Sequence, residues 1–289
     1  MNWTIKKLLE WNTDYFTKNG IESARLEAEV LIAFSLDLRR LDLYLKFDQP
    51  VSDEELQKLK ALIKRRVAHE PMAYIVGKKE FWSRDFYVNK DVLVPRPDTE
   101  VLVQTVLDEF ESLGSLKGLE VGLGSGCIAI TLLSELVDLK MNAVEISPEA
   151  VAIAGKNATY HGVNKRLAVK QEDFLKSALA QAESAQYGFI VSNPPYVAAT
   201  ELDSLAPTVK DFEPIKLALL ADDNGLAYYP VLASYAKQHL KEGGLLAVEV
   251  GDTQAKAVSE IFKDKGLSNI QIKKDLAGHE RVVCGSISS

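Results

Sequence analysis

The sequence has little cysteine and no long apolar run. Cys127 and Cys284 are its two cysteines in 289 residues, too few for a disulfide framework or a zinc cluster, so no metal site is expected. No stretch approaches the roughly 20 consecutive apolar residues that a membrane-spanning helix needs. The opening MNWTIKKLLEW lacks both a long apolar core and a small-residue cleavage site. It does not read as a signal peptide, and a reduced, cytoplasmic setting is expected. A basic excess is missing too: Lys and Arg total 34 against 41 Asp and Glu, a formal net charge of -7. Proteins that hold long nucleic acid by neutralising phosphates carry the opposite balance, so stable nucleic-acid binding is not expected. Repeats and low-complexity tracts are also absent. What is present is an ordinary globular composition, 47% hydrophobic and 26% charged, in a chain long enough for about two domains. A monomer is expected.

The pattern changes near residue 70. Before it, Leu8, Leu9, Trp11 and Phe16 fall near helical spacing ahead of Gly20. Ser23 is placed to cap a second helix whose apolar side includes Leu26, Val30, Leu31 and Phe34. Ser52 with Glu55 forms a capping box for a helix carrying Leu56, Leu59, Leu62 and Ile63 on one side. Lys58, Lys60, Lys64, Arg65 and Arg66 decorate the rest, as a solvated face or as a docking surface for an acidic or RNA-associated partner. Residues 73–94 turn strand-like at Tyr74–Val76, Phe81–Trp82, Phe86–Val88 and Val92–Val94, which reads as a hairpin-like linker. Pro95-Arg96-Pro97 forces extended chain, and Asp98 or Thr99 can start a helix over Val101–Phe110.

From residue 117, short apolar runs (Gly118–Val121, Ala143–Ile146, Phe189–Ser192, Leu245–Val250) alternate with helical stretches (Ile128–Leu136, Pro148–Tyr160, Leu226–Leu240, Thr253–Lys263). This alternation predicts a parallel sheet covered on both faces. Ile270–Lys273 and Arg281–Cys284 are too close together for a helical crossover and are read as an antiparallel closing pair. Three segments result: helical residues 1–70, a hairpin linker over 71–97, and an α/β domain over 98–289.

The first α/β strand runs into Glu120-Val121-Gly122-Leu123-Gly124-Ser125-Gly126. The G-x-G-x-G spacing differs from the G-x-G-x-x-G of dinucleotide sites and lacks the G-K-[ST] ending of a phosphate loop. Glu145 ends the next strand, about 20 residues further on, where a carboxylate can accept both ribose hydroxyls of a nucleoside. Asp173 and Phe174 follow a further strand-like run, Leu167–Lys170; Asp173 is suited to an adenine amino group and Phe174 to covering the ring. Together these features describe a nucleoside site without a phosphate site, which suits S-adenosylmethionine. The cofactor-binding candidates are therefore Gly122, Leu123, Gly124, Ser125, Gly126, Glu145, Asp173, Phe174 and Asn193.

Asn193-Pro194-Pro195-Tyr196 follows the apolar strand Phe189–Ser192. The prolines make a rigid turn with no amide donors, leaving the Pro194 carbonyl as an acceptor. Asn193 offers a side-chain carbonyl and Tyr196 an aromatic face. Two acceptors can take the two hydrogens of a planar NH2 group and turn its lone pair out of the plane, while the ring favours nearby positive charge. Asn193, Pro194 and Tyr196 are the catalytic candidates, and all four residues are substrate-binding candidates.

Residues 122–126, Glu145 and the tetrapeptide resemble class I methyltransferases that act on planar nitrogen. Pro71–Gly77, Glu80-Phe81, Val94–Glu100, Phe212-Glu213-Pro214, Asn224-Gly225-Leu226, Glu249-Val250-Gly251 with Gln254, Asp275–Gly278 and Arg281–Val283 resemble the HemK family, the glutamine methyltransferases of peptide-chain release factors. The resemblance covers essentially the whole chain. It implies a Rossmann-like, seven-stranded methyltransferase domain with a small N-terminal helical domain that binds substrate. It also implies S-adenosylmethionine as methyl donor, S-adenosylhomocysteine as product, and as substrate the glutamine of a release factor Gly-Gly-Gln loop. Glu120 and Glu145 stand where the family usually has Asp, and Leu123 where a small or polar residue is common. Three alternatives compete with it: a glutamine methyltransferase of a ribosomal protein, a DNA adenine amino-methyltransferase, and a cofactor-binding module without activity. The Arg96–Glu100 and Phe212–Pro214 segments favour the release-factor branch over the first. The acidic charge balance disfavours the second and the complete tetrapeptide the third.

Overall fold

In a computed structural model of the chain, residues 3–110, 116–177 and 186–287 are described. They divide into two units, Met1–Gly77 with Ala206–Phe212, and Lys78–Leu205 with Glu213–Ser289.

The first unit is built on α1 (Ile5–Lys18), α2 (Ala24–Ser35), α3 (Arg40–Leu45), α4 (Asp53–Val67) and α5 (Met72–Val76). The Ser52–Glu55 capping box forms as its spacing predicts. Leu8, Leu9 and Phe16 of α1, Leu31 and Ile32 of α2 and Leu59, Leu62 and Ile63 of α4 share one apolar core. Three readings are corrected here. Ser23 precedes α2 in a left-handed conformation, and its side chain makes no cap hydrogen bond. The buried side of α2 runs through Ala28, Leu31, Ile32 and Ser35, a set at helical spacing, while Leu26 and Phe34 are exposed. Arg66 is not on a solvated face: it is buried and ion-paired with Glu27.

The second unit opens with an antiparallel hairpin, β1 (Lys78–Phe81) and β2 (Arg84–Tyr87). Tyr74–Val76, expected to be extended, is α5. The Pro71 carbonyl accepts from the Tyr74 and Ile75 amides, and Gly77 closes the turn in the left-handed region at φ 74°. Burial of Ala73, Tyr74 and Ile75 thus overrides the strand preference of Ile75 and Val76. Val92–Val94 is not a strand either: the Val92 amide turns back to the Asn89 carbonyl, and Val94 donates to the Glu213 side chain. The helical turn begins just before Asp98: a short 3-10 turn, Pro97–Thr99, runs directly into α6 (Glu100–Phe110).

Seven strands follow: β3 (Lys117–Val121), β4 (Lys140–Glu145), β5 (Leu167–Gln171), β6 (Tyr187–Ser192), β7 (Leu240–Glu249), β8 (Ser268–Lys274) and β9 (Glu280–Ser286). They form one sheet ordered β5-β4-β3-β6-β7-β9-β8. The first five are parallel, and β9 runs antiparallel to both of its neighbours, as the short β8–β9 connection requires. Among the helices of this unit are α7 (Cys127–Glu135), α8 (Pro148–Tyr160), the short α9 (Phe174–Ser177), α10 (Tyr228–His239) and α11 (Ala255–Asp264). Alternate strand residues enter opposite cores. Phe189, Val191, Leu245, Ala247, Val282 and Cys284 pack with α6, α7 and α8. Ile190, Leu246, Val248 and Val283 pack with α10 and α11. Burial on both faces explains why the central strands β3, β6 and β7 carry apolar runs, which the partly exposed edge strands β5 and β8 lack.

Candidate active site

Strand order reverses between β3 and β6, so the loops after these two strands diverge and leave a crevice at the carboxyl edge of the sheet. The loop after β3 fills one side. Gly122, Gly124 and Gly126 have φ of 79°, 54° and 80°, angles strained for any residue with a Cβ. Glu120, just before the loop, is fully buried. Its Oε2 accepts from the Ala129 amide at 2.9 Å, while Oε1 has no hydrogen-bond partner among the described residues. Burial holds its pKa well above the usual carboxylate value.

Glu145, the last residue of β4, ties the second strand end to that loop. Its Oε2 accepts from the Gly124 amide at 2.8 Å and its Oε1 from the Ser147 amide at 3.0 Å. One bond per oxygen leaves acceptor capacity on both. After β5, the Asp173 carboxylate accepts from the Leu175 amide at 3.1 Å and pairs with Lys176 at 2.9 Å, which lowers its pKa. Phe174 is buried edge-on to Tyr235.

The loop after β6 forms the other wall. Ser192 donates to the Val121 carbonyl at 2.7 Å and locks β6 against β3. A Cβ built on Gly122 would stand 3.8 Å from the Asn193 carbonyl oxygen, so the tetrapeptide lies beside the glycine loop. The Asn193 amide donates from Nδ2 to Thr99 Oγ1 at 3.2 Å. Pro194 and Pro195 are buried. Tyr196 points toward β7: its hydroxyl lies 3.4 Å from Glu249 Oε1 and its carbonyl accepts from Gln254 Nε2 at 2.9 Å. Gln254 is itself held, since its Oε1 accepts from the Gly251 amide and the Tyr229 hydroxyl. Burial pushes the pKa of Glu249 up to about 7; the facing Thr99 hydroxyl opposes this, Asp98 reinforces it, and Arg281 and the Tyr196 hydroxyl oppose it. Glu213, also buried, accepts from the Val94 amide and pairs with Arg96.

Gly122, Leu123, Gly124, Ser125, Glu145, Asp173, Phe174, Asn193, Pro194 and Pro195 line a single cleft. Gly126 and Tyr196 lie outside its lining: Gly126 begins the turn into α7 and Tyr196 faces Glu249. Pro95, Arg96, Thr99, Glu120 and Tyr228 also line the cleft without having been assigned a role from sequence. Glu120 had a usable signal, a lone carboxylate in an apolar strand. Thr99 and Tyr228 had none of that kind. Among the described residues, no group of three His, Cys, Asp or Glu could hold a metal. No described helix is long and apolar enough to cross a membrane.

The donor set fits a cationic nucleoside cofactor. The loop glycines take angles closed to other residues, Glu145 keeps acceptor capacity, and Glu120 Oε1 is a buried polar atom with no partner among the described residues. A seven-stranded sheet of this order, with these features at successive strand ends, defines a Rossmann-like methyltransferase. Residues 97–209 match the methyltransferase small domain family, and residues 7–77 match the PrmC N-terminal domain. The chain is 39% identical over 285 residues to the release factor glutamine methyltransferase of Geobacter sulfurreducens, covering 99% of this chain and 97% of that protein. It is 38% identical over 301 residues to a bifunctional methyltransferase of Rickettsia prowazekii, covering 98% of this chain and 57% of that longer protein. A solved methyltransferase structure from Pyrococcus furiosus shares the fold, with a TM-score of 0.53 at 16% identity, over 81% of this chain and 99% of that one. The chain belongs to the release factor glutamine methyltransferase family.

Proposed function

We propose that this enzyme transfers a methyl group from S-adenosylmethionine to the side-chain amide nitrogen of the glutamine in the Gly-Gly-Gln motif of a peptide-chain release factor, in the cytoplasm. The observation that carries this reading is the cleft itself, where Asn193 and Pro194 stand beside the glycine loop and Glu145. The glycine loop, Glu145, Asp173 and Phe174 would hold the cofactor, which supplies an activated methyl group on a sulfonium. Asn193 Oδ1 and the Pro194 carbonyl accept the two hydrogens of the substrate amide. An amide nitrogen is a poor nucleophile because its lone pair is delocalised. Two fixed acceptors hold it in the orientation that exposes the lone pair, which is catalysis by positioning and preorganised electrostatics. Residues 1–70 contribute substrate recognition, since every chemical motif lies later in the chain.

The test is to incubate the protein with labelled S-adenosylmethionine and, separately, release factor, ribosomal protein and duplex DNA, and to locate the label by mass spectrometry. Label on the Gly-Gly-Gln glutamine is expected. Label confined to ribosomal protein or DNA would overturn the substrate assignment.

A further inference from the structure

The carboxyl edge of the sheet holds the cleft, and the amino edge holds a second hollow of about 420 Å³, within the size range of small-ligand sites. Each of the five parallel strands brings a polar residue to it. In spatial order these are Lys165 and Arg166 of the 3-10 turn before β5 (Asn164–Arg166), Lys140 at the start of β4, Lys117 at the start of β3, Gln186 just before β6, and Lys241 in β7. Lys117 and Lys140 are register partners on adjacent strands, whose backbones run about 4.8 Å apart, so two like charges stand side by side. Lys117 is held in place, with its Nζ 5.1 Å from the centre of the buried Tyr187 ring. Arg166 is anchored too. Its guanidinium donates to the Leu133 carbonyl at 2.6 Å, to those of Leu136 and Val137 at 3.0 Å and to that of Leu139 at 3.2 Å. These acceptors are neutral, so they leave its charge uncompensated. No Asp or Glu lines the hollow, and among the described residues none of its four lysines forms an ion pair. The basic run on α4 differs, since Arg65 pairs there with Glu70 and Arg66 with Glu27.

We propose that this hollow is a binding site for a short oligophosphate, either free or as the tail of a nucleotide. Five cations gathered without a carboxylate repel one another. A ligand with several negative charges seated among them relieves that repulsion, and the ammonium groups give it charge-assisted hydrogen bonds. Gln186 adds a neutral donor. The charge of the whole chain selects a short ligand over a long one. Its formal net charge is -7, which works against a nucleic acid lying along the surface. Screening confines each charge's field to about 8 Å at physiological ionic strength, so a short phosphate chain meets the local cations and little else. The hollow shares no lining residue with the cleft, and its assignment does not rest on the methyl-transfer reading.

The experiment titrates the full-length protein by calorimetry at low ionic strength with sodium tripolyphosphate, then with ATP and with a single-stranded RNA oligonucleotide. Saturable, one-to-one binding of tripolyphosphate is expected, weakening steeply as salt is added. Two double variants locate it. Lys140→Gln with Lys241→Gln removes two exposed charges from the hollow and is expected to raise the tripolyphosphate Kd about tenfold or more. Lys58→Gln with Lys60→Gln removes the same charge from the exposed side of α4 and should change it less than about twofold. All four side chains are exposed, so the thermal midpoints of both variants should stay close to wild type. Equal affinities for tripolyphosphate and ATP support a site for the phosphates alone. Tighter binding of ATP, lost in the Lys140 and Lys241 variant, supports a nucleotide. Absence of saturable tripolyphosphate binding would overturn the proposal, as would equal weakening in the two double variants. RNA bound through Lys140 and Lys241 without tripolyphosphate binding would overturn it in favour of a nucleic-acid surface.

Discussion

Glu145 and Glu249 both end strands of the same sheet, and their surroundings differ. Glu145 faces the cleft and accepts two backbone amides, one on each oxygen. Glu249 lies behind the tetrapeptide at 2% exposure, and burial raises its pKa to about 7. The groups facing it are the hydroxyls of Thr99 and Tyr196, the Asp98 carboxylate and the Arg281 guanidinium. The sign of its effect on stability follows. Its folded pKa lies above the ordinary glutamate value of about 4.5, so the folded state holds this proton more tightly than the unfolded chain does. The stability this gives is fully present below pH about 4.5 and is lost as pH rises through about 7. Across that window the change is about 3 kcal/mol at 1.36 kcal/mol per pKa unit. Glu249→Gln removes the titration. Urea unfolding at pH 5 and pH 8 should therefore show a smaller pH-dependent loss in the variant than in wild type. Identical pH dependence in the two proteins would remove Glu249 as the source.

Between elements, the tetrapeptide loop is held from behind by a second turn. Gly225 adopts φ 84°, and a Cβ there would stand 2.1 Å from the Tyr196 carbonyl oxygen and 2.5 Å from Gln254 Nε2. The Tyr196 carbonyl is the group that Gln254 binds, so the substitution strikes the loop's own anchor. Gly225→Ala should destabilise the protein by about 1–3 kcal/mol, from the left-handed backbone and the clash together. It should also lower turnover more than cofactor affinity. Paired calorimetric and steady-state measurements check this, and wild-type turnover with a wild-type thermal midpoint would contradict it. Gly225 and Gln254 were visible in the sequence only as pieces of a family pattern, because the contact joins residues far apart in the chain. The same holds for Thr99 and Asn193, which lie 94 positions apart. The strands were legible because a sheet buried on both faces leaves contiguous apolar runs, and the glycine loop because its spacing is local. α5 was not legible, since Tyr74–Val76 is strand-like in composition and only Pro71, Gly77 and burial make it helical.

At the scale of the whole molecule, the described cleft draws all its lining from one unit. Asp91 through Tyr228 contribute to it, and every lining residue belongs to the Lys78–Leu205 and Glu213–Ser289 segments. The helical unit has its own apolar core, running from Ile5 to Ile75. On the function proposed above, this unit chooses or holds the substrate, and the groups that line the cleft all come from the other unit. The hairpin belongs with the cleft: Phe81 and Phe86 sit in the core beneath it, and Asn157 of α8 accepts from the Tyr87 amide at 2.8 Å and donates to the Tyr87 carbonyl at 3.0 Å. A truncation that respects the fold therefore starts at Lys78 and keeps the hairpin. Circular dichroism and a thermal melt establish first that the fragment is folded. Its affinity for S-adenosylmethionine should then stay within a few-fold of the full chain, because Gly122–Ser125, Glu145 and Asp173 are all retained. Its kcat/KM on intact release factor should fall by about 100-fold or more, as expected when roughly 3 kcal/mol of binding is removed. On a short Gly-Gly-Gln peptide, too small to engage a second unit, kcat/KM should fall much less. The ratio of the two losses is the decisive quantity. If peptide and folded factor lose efficiency equally, residues 1–77 support the catalytic unit itself and the recognition role assigned to them is wrong.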